Sequence, residues 1–129
     1  MLKTISILFI VATAVSAKTF ILRVEGVLLC DSKNYTEPAE VLLYDRDMIT
    51  QDDELNNVTA SEKDKGVFKI DGEESGFRRF DPYLSVTHNC KSKDNITTEF
   101  DLGKKFVVPK DKEEQIQHVK LELSTGKLV

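Results

Sequence analysis

The sequence predicts an all-β sandwich of about seven or eight strands, and three observations carry that expectation. Apolar residues recur at every second position in short runs, which is the periodicity of strands. Turn-forming residues separate the runs at intervals of roughly ten positions. No amphipathic helix of useful length interrupts the series, so sheet packed on sheet is the route left for burying the apolar faces.

The elements follow in order. Phe20, Leu22 and Val24 alternate with Ile21, Arg23 and Glu25, and Gly26 marks a bulge or a close backbone approach before the strand runs on to Cys30. Asp31 to Pro38 is rich in turn formers and reverses the chain. Ala39, Val41 and Leu43 oppose Glu40, Leu42 and Tyr44 in a second strand. Asp45 to Asn57 lacks a period of two and reads as an acidic loop with a short helical turn near Asp52 to Leu55. Val58 to Ser61 is β-compatible, and Asp64-Lys65-Gly66 reads as a hairpin turn into a strand at Val67 to Ile70. Gly72 to Gly76 is a polar break. Pro82 opens the strand that delivers Cys90, at the position where its missing N–H harms the ladder least. Ile96 to Phe100, Lys105 to Val108 and Ile116 to Leu123 complete the set.

Met1 to Ala17 reads as a cleaved secretory signal. Lys3 supplies the positive start, Ile5 to Val15 is apolar, and Val15-Ser16-Ala17 places small residues at the cleavage site. The apolar run is shorter than the ~20 residues of a membrane-spanning helix, so no transmembrane segment is expected in the mature chain. Residues 18–129 then form one domain. Loss of Lys3 lowers the 18 basic residues to 17 against 22 acidic ones, a formal charge of −5. That sign argues against a nucleic-acid partner, whose phosphates call for clustered Lys and Arg.

In an oxidising compartment Cys30 and Cys90 form the single possible intramolecular disulfide. Asn34-Tyr35-Thr36, Asn57-Val58-Thr59 and Asn95-Ile96-Thr97 fit the N-glycosylation pattern, and use of any of them requires a solvent-facing asparagine. An immunoglobulin domain fits poorly, because Trp is absent and no Tyr stands two residues before Cys90.

Five segments resemble the nematode transthyretin-like family in order and spacing. They are Val24-Glu25-Gly26-Val27-Leu28-Leu29-Cys30, Val41-Leu42-Leu43-Tyr44-Asp45-Arg46-Asp47, Asp52-Asp53-Glu54-Leu55, Asp64-Lys65-Gly66-Val67-Phe68, and Asp81-Pro82-Tyr83-Leu84-Ser85-Val86-Thr87-His88-Asn89-Cys90. The last is the most specific, since it joins an Asp-Pro start to a fixed Cys. The resemblance implies a secreted single-domain sandwich of the transthyretin (prealbumin-like) type. One departure is plain: the further cysteine pair that the family often carries toward its C-terminus is missing from Lys91 to Val129.

Hydroxyisourate hydrolases share this kind of sandwich and end in a Tyr-Arg-Gly-Ser signature. Here the chain ends Leu123-Ser124-Thr125-Gly126-Lys127-Leu128-Val129, and only Gly126 overlaps. His88 and His118 are the two imidazoles, and neither has a partner at motif spacing. No catalytic residue, metal site or cofactor is therefore assigned, with His88 read as structural beside the disulfide and His118 as a surface residue. Asp45, Asp47, Asp52 and Asp53 form either a solvated acidic loop or a set of oxygen ligands for a hard cation. Arg78 and Arg79, flanked by Phe77 and Phe80, form a candidate binding patch; in the alternative reading Phe80 enters the core. The expected function is an extracellular binding or adaptor module for a protein, a small apolar ligand or a lipid surface. The alternatives are an altered hydrolase, which needs a histidine opening into a concave pocket beside a second polar group, and a structural secreted protein.

Overall fold

The computed structural model describes residues 19–47, 49–75, 80–103 and 114–129. The signal segment, the patch Phe77, Arg78 and Arg79, and the strand expected at Lys105 to Val108 lie outside the described residues. Among those described, nine strands form two sheets, joined by one 3-10 turn, Glu62–Asp64. The strands are β1 (Thr19–Cys30), β2 (Lys33–Asn34), β3 (Ala39–Asp45), β4 (Asp53–Ala60), β5 (Val67–Ser75), β6 (Pro82–His88), β7 (Ile96–Asp101), β8 (Glu114–Glu122) and β9 (Lys127–Leu128).

In the first sheet β1 is central. It pairs antiparallel with β5 on one side and parallel with β8 on the other, and β2 and β9 add short ladders at the Cys30 end. The second sheet has the order β4-β3-β6-β7, all antiparallel. The alternation read from the sequence decides which face is buried. Leu22, Val24 and Leu28 of β1 meet Val41, Leu43, Leu84 and Val86 of the second sheet, and Phe68, Ile70, Phe100 and Leu121 complete the core. Each such side chain contributes about 1.5–3 kcal/mol by leaving water.

Several sequence expectations need correction. Residues 53–60 are a strand, not a loop with a helical turn: β4 pairs with β3 from Ala39↔Ala60 to Asp45↔Asp53, through a bulge at Leu43/Tyr44. Its Asn-rich sequence hides it, because the neighbour supplies the ladder while its own outward side chains are polar. The break expected from Gly72 is also absent; β5 continues to Ser75 in register with Thr19. Gly72 faces inward, where a Cβ would lie 2.9 Å from side-chain atoms of Leu43 and Leu55.

Asp64-Lys65-Gly66 does not close a hairpin, since β4 and β5 belong to different sheets. It carries the chain across the sandwich, with Lys65 and Gly66 both at positive φ. A Cβ on Gly66 would lie 2.7 Å from the Tyr35 carbonyl oxygen. At Gly26 the β1–β5 register runs through without a bulge, so the glycine marks a close approach. The Phe68 ring lies over it: a Cβ there would sit 2.5 Å from Cε1 of Phe68.

The disulfide joins Cys30, at the end of β1, to Cys90, just beyond β6, and so ties one sheet to the other.

Candidate functional site

The outward face of the β5–β1–β8 sheet carries a groove of about 540 Å³. Register explains its composition. Lys69, Glu25 and His118 stand side by side on the three strands, and Val67, Val27 and Lys120 form the next row. Val129 extends the apolar side, and its backbone N–H donates to the Lys120 carbonyl. The result is an apolar floor with a charged rim, within the size range of small-ligand sites.

Glu25 sits between Lys69 and His118, with Oε1 3.8 Å from Lys69 Nζ and Oε2 3.4 Å from His118 Nδ1. His118 is 75 % exposed, so these contacts remain screened and contribute little to stability. Lys120 makes no ion pair among the described residues, and its groove neighbours Val27 and Val67 are apolar. The sequence missed this constellation because parallel pairing of β1 with β8 brings together residues 93 positions apart, Glu25 and His118. Only the parity of Glu25, on the face opposite Leu22 and Val24, was visible beforehand.

Residues 25–109 match the family profile of the transthyretin-like family. The chain belongs to that family. Among curated proteins no match is found. A solved structure, the 9R-lipoxygenase from Cyanothece PCC8801, is similar at 16% identity with a TM-score of 0.43, over 82% of this chain and 16% of that chain.

The other candidate residues of this transthyretin-like domain fall elsewhere. His88 is 1 % exposed and points into the sandwich. Its Nδ1 accepts the Cys90 backbone N–H at 3.0 Å, which leaves Nε2 to carry the proton and donate to Thr98 Oγ1 at 2.8 Å. Burial holds its pKa below the ordinary value of 6.5. It opens into no groove. Of the two imidazoles, His118 alone lines a concavity beside a second polar group.

Three of the four aspartates of the 45–53 segment, Asp45, Asp47 and Asp52, are held by the fold. Asp45 Oδ1 accepts the Asp81 N–H, and Asp47 Oδ1 accepts the N–H groups of Ile49 and Thr50. Asp52 accepts from the Asp47 N–H and, at 2.6 Å, from the Tyr83 hydroxyl. Burial, with Asp45, Asp53 and Asp47 nearby, raises the Glu74 carboxyl. Among the described residues no group of three or more His, Cys, Asp or Glu side chains is placed to hold a metal ion. Beside this segment Tyr44 stacks on Tyr83, with the Arg46 guanidinium 4.6 Å above the Tyr83 ring.

Phe80 is buried and belongs to the core, as the alternative reading of its segment expected. Asn34, Asn57 and Asn95 are all exposed. The Asn34 amide donates to the Lys65 carbonyl at 3.0 Å, while Asn57 faces out of β4 and Asn95 precedes β7.

Proposed function

We propose that this chain is a secreted, non-enzymatic binding module whose ligand surface is the outward face of the β5–β1–β8 sheet. The observation that carries the reading is the groove itself, an apolar floor of Val27, Val67 and Val129 rimmed by Lys69, His118 and Lys120. Of the three partner classes a small ligand with an apolar body fits it best, ahead of an extracellular protein or a lipid surface. The disulfide and three exposed sequon asparagines support an extracellular setting. Expression in secreting eukaryotic cells tests that setting. The expected product starts at Lys18 and loses glycan mass from Asn34, Asn57 and Asn95 on enzymatic deglycosylation; an intact Met1-to-Ala17 segment in retained, unglycosylated protein would defeat it. Methyl NMR during titration with a panel of amphiphiles tests the surface. Shifts confined to Val27, Val67 and Val129 are expected, and a panel that leaves these methyls unmoved would remove the groove from consideration.

One observation favours a second reading, an altered hydrolase: His118 lies beside Glu25 in a concave site, as a base beside an orienting carboxylate would. The Tyr and Arg of the hydrolase signature are missing from the C-terminal segment. A hydrolytic activity lost in His118→Ala, with folding intact, would replace the binding reading.

A further inference from the structure

We propose that an N-glycan on Asn95 caps the free edge of β7 and keeps the sandwich from pairing there with a second copy of its own chain. The proposal rests on the secreted reading above and gives one of the three sequons a task. Three observations carry it.

First, the free edges of the two sheets are protected unequally. An open strand edge offers unpaired N–H and C=O groups to another chain, and charged side chains, bulges or a covering element blunt it. β5 carries Lys69, Asp71 and Glu73, and β8 carries Glu114 and Lys120 along the stretch that β9 leaves unpaired. On β4 a bulge and one side chain serve the same end: the Asn56 amide donates to the Asp71 carbonyl of β5, and its oxygen accepts the Asn57 N–H. β7 ends the second sheet without such a device in its first half. Ile96-Thr97-Thr98 is uncharged, and Glu99 and Asp101 come only afterwards. Among the described residues no strand pairs with its outer side.

Second, β7 is held as a ready template. It pairs with β6 without a break from Tyr83↔Asp101 to His88↔Ile96. Inward, Thr98 Oγ1 is hydrogen-bonded to His88 Nε2 at 2.8 Å, and Phe100 is buried. Ile96 is 42 % exposed and Thr97 is exposed as well. A regular edge of uncharged, β-branched residues is what an identical strand pairs with most readily.

Third, the sequon Asn95-Ile96-Thr97 starts one residue before that edge. Asn95 is exposed, and its position at the mouth of the strand roots a sugar chain where a pairing strand would have to enter, about 4.8 Å from β7. A glycan there does for β7 what charge does for β5 and β8. Asn34 differs: it stands on the two-residue β2 beside Lys33, and its amide is held by the Lys65 carbonyl, so its glycan has no long edge to guard.

The test uses the secreted, disulfide-bonded chain from eukaryotic cells, with site occupancy read by glycopeptide mass spectrometry and self-association by sedimentation velocity. The wild type is expected to carry a glycan at Asn95 and to stay monomeric. Asn95→Gln should raise the self-association constant at least about tenfold, and the Ile96 to Thr98 amides should gain protection from hydrogen exchange as concentration rises. Adding Thr97→Lys to Asn95→Gln should restore the monomer by placing a charge on the edge. Asn34→Gln should associate no more than the wild type. Circular dichroism confirms that each variant is folded. An Asn95→Gln chain as monomeric as the wild type would overturn the proposal, and so would secreted protein glycosylated at Asn34 or Asn57 but not at Asn95. Association that persists in the double variant would place the contact on another surface. Equal association of Asn34→Gln would replace edge capping with a general effect of glycan on solubility. Either result leaves the secreted reading standing, whereas a chain that is neither secreted nor glycosylated would bring down both.

Discussion

Glu122 shows how a buried charge is made tolerable by fixed donors. Its carboxylate is 7 % exposed and accepts four hydrogen bonds, from the N–H groups of Asp31, Ser32 and Ser124 and from the Ser124 hydroxyl. Asp31 and Ser32 both hold positive φ, so the carboxylate fastens the turn that leaves β1 in a conformation non-glycine residues seldom adopt. Burial pushes the carboxyl up, but the four donors outweigh it and the net pKa lies below the ordinary 4.5. The sign follows: stability from this group is fully present above about pH 4.5 and is lost as pH falls through the lower folded value. Glu122→Gln should cost about 2 kcal/mol at neutral pH and flatten the acid limb of a urea-denaturation series below that pH.

His88 acts at a different pH for a different reason. Its folded pKa is depressed, so the unfolded chain takes up a proton first and stability declines as pH drops below 6.5. A protonated ring would also turn Nδ1 into a donor facing the Cys90 N–H. His88→Gln should remove the pH dependence of stability between the ordinary value and the folded one. Persistence of the full slope in that variant would assign it to another group.

Among the elements, β1 bears the most, because it is flanked on both sides and contributes both to the core and to the groove. Gly26 is its most sensitive position. Gly26→Ala places a methyl against the Phe68 ring and should cost about 1–3 kcal/mol, with part of that recovered when Phe68→Leu is added. A double-mutant cycle by chemical denaturation measures the coupling; strict additivity would mean the ring moves aside freely. Strands whose inward residues are apolar at every second position, such as Leu22, Val24 and Leu28, were legible from the sequence alone. β4 and the second half of β5 were not, because Asp53–Ala60 and Asp71 to Ser75 draw their order from neighbouring ladders and carry little alternation of their own. The groove was illegible for a related reason. Its charged rim is assembled by the pairing of three strands, and a sequence displays the parity of each strand but not which strands are neighbours.

Across the whole molecule, the Cys30–Cys90 bridge links residues 60 positions apart and joins the two sheets. A loop of that length corresponds to roughly 4 kcal/mol of chain entropy removed from the unfolded state. Replacing both cysteines by alanine should lower unfolding free energy by about 2–4 kcal/mol, measured in urea. Unchanged stability would show that the sheets hold each other without the covalent tie.

The parallel pairing of β1 with β8 also sets an order of events for the nascent chain. β1 is made early, yet one of its two edges stays bare until Glu114–Glu122 has been synthesised. A chain stopped after residue 113 would present an apolar strand with open N–H and C=O groups, a template for pairing with other copies. Such a fragment should aggregate on expression, as light scattering would show, whereas the full chain should not. Completion of this sheet therefore waits on a strand that is distant from β1 in the sequence.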